Sequence, residues 1–67
     1  MNDECPYTMN VVYPDGSVMV VPEAEPEAAI MFARGQLEQG KWMRAELSDW
    51  RGDLVWFGNH GTRSSLN

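Results

Sequence analysis

Nucleophilic catalysis needs a nucleophile held against a base, and the chain offers little for it. Its one cysteine, Cys5, stands before Pro6, and its one histidine, His60, stands before Gly61 at the other end of the sequence. No spacing obliges them to meet, so no catalytic group is expected. Metal chemistry lacks its motifs as well. There is no C-x-x-C pair, no H-x-x-x-H, no EF-hand loop and no glycine-rich phosphate loop, so neither metal nor cofactor is expected. Carboxylates are the abundant chemical group. Glu23, Glu25 and Glu27 cluster where a helix should begin. Paired carboxylates can hydrolyse glycosides, but only inside a deep pocket, which a chain of 67 residues has little volume to form. Such acids ordinarily complement a helix dipole and keep a surface solvated. They can also stand in for phosphates before a protein that handles nucleic acid, with Asp15, Glu38, Glu46, Asp49 and Asp53 extending the set. Arg51-Gly52-Asp53 matches the integrin-binding tripeptide, and it equally makes an ordinary turn.

The aromatic residues are the second chemical resource. Trp56 lies in an apolar run and reads as core. Trp42 opens an alternating segment on the side away from the core, and Trp50 falls in a loop. Exposed tryptophan is enriched in binding hot spots. The competing reading packs Trp42 and Trp50 on each other, or on Arg44 and Arg51.

Four strands and a helix must position these groups. Residues 7–13 alternate, with Tyr7, Met9, Val11 and Tyr13 on one side and Thr8, Asn10 and Val12 on the other. Pro14-Asp15-Gly16-Ser17 is a turn, followed by a strand over 17–21 that Pro22 should end. Pro26 suits the first position of a helix, and the apolar stripe Ala29, Ile30, Ala33, Leu37 predicts that helix over 27–39. Gly40 should cap it. Gly35, inside the helix, suggests a close approach to the sheet. Residues 42–48 alternate again, with Met43, Ala45 and Leu47 opposed to Trp42, Arg44, Glu46 and Ser48. After a loop with Gly52, Leu54 to Phe57 forms the last strand, ended by Gly58, Asn59 and Gly61. The fold expected is α+β: a four-stranded, mostly antiparallel sheet in ββαββ order with one helix packed on one face. It comprises an arm over 1–6, one domain over 7–59 and a polar tail over 60–67. The sheet face away from the helix has no cover within the chain, which makes it a candidate interaction surface.

Composition narrows the function class. Lys and Arg number 5 against 10 Asp and Glu, a net charge of −5, which leaves too few cations for direct binding of nucleic acid. Hydrophobic residues at 43% and three tryptophans exceed what a disordered acidic tail carries. The longest apolar run, Ala28 to Ala33, is too short to span a bilayer, and Met1-Asn2-Asp3-Glu4 does not resemble a signal peptide. With one unpaired cysteine, a cytoplasmic setting is expected.

Tyr7 to Asn59 resembles a kind of short protein encoded by bacteriophages and mobile elements, built of a hairpin, an alanine-rich helix and a second hairpin. Some anti-CRISPR inhibitors of type I interference complexes are built this way. The likeness is greatest at Gly40-Lys41-Trp42-Met43-Arg44-Ala45-Glu46, after the Glu25–Gln39 helix and before the Gly52 turn. It implies a non-enzymatic inhibitor that sits on Cas subunits in a bacterial cytoplasm. The residues expected to meet a basic partner surface are Glu23, Glu25, Glu27, Trp42, Glu46, Asp49, Trp50 and Asp53. The alternative is a homodimeric structural or adaptor module that pairs through the open face or a sheet edge.

Overall fold

A computed structural model describes residues 5–61. The elements are β1 (Tyr7–Val12), β2 (Val18–Glu23), α1 (Pro26–Glu38), β3 (Arg44–Ser48) and β4 (Leu54–Asn59). All neighbouring strands are antiparallel, in the order β2-β1-β3-β4. The fold is therefore the α+β arrangement expected, with the first strand of each hairpin at the centre and the second at an edge. The arm and tail of the expected domain division lie largely outside the described residues, at 1–4 and 62–67.

Both hairpins turn by the same chemistry. In Tyr13–Ser17 the Gly16 N–H donates to Tyr13 O, and the Tyr13 N–H donates to Ser17 O. In Asp49–Asp53 the Gly52 N–H donates to Asp49 O, and the Asp49 N–H donates to Asp53 O. The glycine is the third residue between the closing pair in each hairpin and has positive φ, +92° at Gly16 and +87° at Gly52. That is a three-residue hairpin loop whose left-handed position favours glycine.

Pro26 starts α1 where its missing N–H costs nothing, and Glu27 lies in the first turn. At the other end Gly40 takes φ +77°, and the Gly40 and Lys41 N–H groups donate to Leu37 O and Gln36 O. This pair of bonds satisfies carbonyls the helix would otherwise leave bare. The helix buries Ala29, Ala33 and Leu37, chiefly over β3 and β4. The small alanines let it lie close to the sheet. The core is completed by Met9 and Val11 of β1, Ala45 and Leu47 of β3, and Trp42.

Several sequence expectations need correction. Trp42 is not on the open face. It precedes β3, is only 8% exposed, and packs edge-to-face on Phe32 with ring centroids 5.7 Å apart. The alternation that begins at Arg44 does not extend back to it, because the chain there is still leaving the helix cap. Pro22 does not end β2; it sits opposite Thr8 within the strand. β2 is an edge strand, so a residue without N–H is tolerated if its nitrogen faces outward. Gly58 and Asn59 belong to β4, paired with Ala45 and Arg44. Gly35 has nothing within 4 Å of the position its Cβ would occupy. The close approach occurs at Gly58, where a Cβ would lie 3.0 Å from Leu37 Cδ1 and from the Trp56 ring. Met43 is 41% exposed rather than core.

Candidate protein-interaction surface

Strand register decides which of the candidate residues can act together. Tyr7 lies opposite Glu23, and Thr8 lies opposite both Pro22 and Ser48. The start of β1, the end of β2 and the β3–β4 hairpin therefore share one end of the sheet. Helix α1 begins at that same end, because only Ala24 and Glu25 separate it from β2. Glu23, Glu25, Glu27, Asp49, Trp50 and Asp53, scattered over the sequence, are thus gathered at one end of the molecule. Glu46 lies on the open face, and Trp42 lies in the core.

The carboxylates at that end do different work. Asp49 Oδ1 accepts the N–H groups of Arg51 (2.9 Å) and Asp53 (3.0 Å), and its Oδ2 lies 3.2 Å from Arg51 Nη2. Partial burial acts to raise the Asp49 pKa. The Asp53 N–H, the Arg51 side chain and N–H, and the Arg51 charge outweigh it and hold the group below its usual 3.8. Asp49 is therefore an internal brace of the hairpin, with its side chain only 8% exposed. Asp53 lies 3.6 Å from the same guanidinium. Arg51-Gly52-Asp53 makes a turn whose charged side chains are spent on one another and on Asp49. Glu46 is paired to Arg44 at 2.6 Å, which leaves it little charge to offer. Among the described residues the Glu23, Glu25 and Glu27 carboxylates meet no hydrogen-bond or ion-pair partner, and Glu25 makes no side-chain cap bond to the helix.

Trp50 carries the apolar part. It is 68% exposed, stands edge-to-face to Tyr7 at 6.2 Å, and has the Arg51 guanidinium 5.4 Å from its ring centre. A ring held on two sides loses little side-chain freedom on docking, as an anchor should. The stacking on Arg51 is one of the pairings open to it in the sequence.

The open sheet face carries no tryptophan. Its centre holds Thr8, Asn10, Glu46 and Ser48, and its flanks hold Val18 and Val20 on one side and Phe57 on the other. The exposed apolar run on β2, Val18-Met19-Val20, was not singled out in the sequence. The signal available was its lack of polar alternation.

Cys5 and His60 lie at opposite ends of the sheet, since Cys5 precedes β1 and Asn59 pairs with Arg44 beside Val12. They do not form a catalytic pair. His60 instead closes the helix C-terminus, with Nδ1 bonded to Leu37 O and its N–H donated to Met43 O. No group of three or more His, Cys, Asp or Glu able to hold a metal ion occurs among the described residues. No helix among them is long and apolar enough to cross a membrane. Comparison with protein-family models, curated proteins and solved structures gives no match to this chain.

Proposed function

We propose that this chain is a non-enzymatic protein-binding module, and that its acidic end docks on a basic surface of a partner that handles nucleic acid. The observation that carries the reading is the meeting of Glu23, Glu25 and Glu27 with the exposed, braced Trp50 at one end of the sheet. Carboxylates supply steering and specificity, and a rigid aromatic ring supplies contact area. Asp49 and Asp53 serve the hairpin that holds Trp50 in place. Inhibition of a type I interference complex is a narrower form of this reading, suggested by the resemblance of the Gly40–Glu46 stretch and by no feature of the geometry.

The test is capture of partners from bacterial lysate with tagged protein, at low and moderate salt, read by mass spectrometry. Recovery of a basic complex that is lost as salt rises, and lost in a Glu25→Lys/Glu27→Lys variant, is the expected result. Undiminished capture by that folded variant, or recovery of this chain alone, overturns the reading. The second outcome favours the homodimeric module instead.

A further inference from the structure

The structure leaves one side of the sheet unfinished. Strand β2 is an edge, and α1 lies chiefly over β3 and β4 at the far side. The direction of the β2 backbone follows from two bonds. The Tyr13 N–H donates to Ser17 O, so odd-numbered residues of this hairpin form its hydrogen-bonded pairs; the Met43 N–H donates to Val12 O, so even-numbered residues of β1 face β3. The N–H and C=O groups of Val18 and Val20 therefore point away from the sheet. Pro22 shares their phase, which is why a residue without N–H can stand there. The side chains above and below are exposed too: Val18 at 65%, Met19 at 38% and Val20 at 60%. The other edge is different, since β4 has a register break opposite Leu47/Ser48 and the helix against it. β2 runs in unbroken register with β1 from Val18 to Glu23, and the devices that discourage pairing, Pro22 and the charged Glu23, are confined to its end.

We propose that β2 accepts an added antiparallel strand from a protein partner, a short extended segment of alternating apolar residues with Lys or Arg at its N-terminal end. Charge selects this occupant. An antiparallel strand beside β2 begins next to Glu23, with Glu25 and Glu27 just beyond, and no cation of this chain lies on β1 or β2. A second copy pairing through the same edge brings no cation to Glu23. Two registers form equally many bonds: Val18 against Val20 sets Glu23 towards Asp15 of the other copy, two like charges, and Val20 against Val20 sets it towards Ser17, so neither gives Glu23 a cation. Main-chain bonds to Val18 and Val20 supply affinity, and contact with Val18, Met19 and Val20 supplies side-chain fit. The inference rests on the proposed acidic docking end and specifies how a partner reaches it.

The probe is a synthetic peptide of two lysines followed by alternating valine and threonine, titrated into labelled protein and followed by amide NMR. The expected result is selective shifts and slowed hydrogen exchange at Val18 and Val20. A peptide with two glutamates in place of the lysines binds about three- to tenfold weaker. Val20→Pro removes an outward N–H without breaking the β1–β2 ladder, and it abolishes the response while the circular dichroism spectrum is kept. No perturbation of Val18 and Val20 up to about 1 mM peptide, the weak end of specific binding, overturns the proposal. So do shifts confined to β4, or concentration-dependent shifts at Val18 and Val20 without peptide, which assign the edge to a second copy. Lysate capture separates this proposal from the docking reading. A Val20→Pro protein that still captures a partner in a Glu25- and Glu27-dependent way retains the acidic end and removes the added strand.

Discussion

Two tryptophans that look alike in sequence have opposite roles, and substitution distinguishes them. Trp42 fills the space beside the helix and is the largest side chain in a core otherwise made of Met9, Val11, Leu37, Leu47 and alanines. Trp42→Ala should cost about 3–5 kcal/mol, comparable to the whole stability a domain of this size draws from its core, so chemical denaturation should find the variant largely unfolded. Trp50→Ala loses only an edge contact with Tyr7 and the Arg51 guanidinium. It should cost about 1 kcal/mol or less and keep the native circular dichroism spectrum, while partner capture falls. A second residue-scale prediction concerns the aspartates in the turns. Asp15 accepts the Ser17 N–H and hydroxyl at 2.9 and 2.7 Å, and these bonds lower its pKa. Asp49 is lowered in the same sense. A carboxyl that is more acidic folded than unfolded stabilises the native state fully above the unfolded value, here about 3.8. That stabilisation is lost as pH falls through the folded value. Urea midpoints should therefore drop below pH 4, and an Asp49→Asn variant should show a shallower drop. An unchanged pH profile in that variant would remove Asp49 as a brace.

At the scale of elements, the glycines show what the sequence could and could not reveal. The two turn glycines, Gly16 and Gly52, and the helix-end glycine, Gly40, are legible because their conformations depend on neighbours within a few residues. The helix itself is legible from Pro26 and the alanine stripe. Close approach is not local, and the expectation assigned it to Gly35 when it belongs to Gly58, brought beneath Leu37 by the pairing of β4 with β3. The start of β3 failed for a related reason, since alternation alone cannot say where a chain leaving a helix cap enters the sheet. Pro22 reads as a stop in the sequence because its edge position depends on strand order, which no spacing reveals. These placements separate two glycine substitutions. Gly35→Ala adds a methyl into open space on a helix, so it should stabilise by about 0.5–1 kcal/mol, raising the melting temperature by several degrees. Gly58→Ala must push aside Leu37 and the Trp56 ring and should destabilise by about 1–3 kcal/mol. A melting temperature raised by both changes would contradict the packing of β4 under the helix.

Across the whole molecule, acids gather at the end where the helix starts. Glu23, Glu25, Glu27, Asp49 and Asp53 share that end with one cation, Arg51, while Lys41 and Arg44 lie toward the end at which α1 stops, together with Asp15 and Glu38. The acids therefore oppose the positive pole of the helix, which alone accounts for Glu27 without any partner. The sequence offers the glutamates and Trp50 as candidates but not their placement at one end, and the structure shows Glu46 paired to Arg44 and Trp42 buried. Dipole complementation and partner docking make different demands, and a neutralising variant measures both. Glu27→Gln should lower stability by about 0.3–1 kcal/mol at low salt, and salt should erase most of that difference because the carboxylate facing the helix dipole is exposed. Glu25→Gln removes a carboxylate just outside the helix that makes no cap bond, so its effect on stability should be smaller. If the end serves only the helix, capture should be unaffected by either change in a folded protein. If it serves a partner, both changes should weaken capture to a similar degree while their effects on stability differ. Steering depends on the summed field at the docking surface rather than on which carboxylate faces the helix axis. The ratio of lost capture to lost stability, compared between Glu25→Gln and Glu27→Gln, is the quantity that separates the two roles.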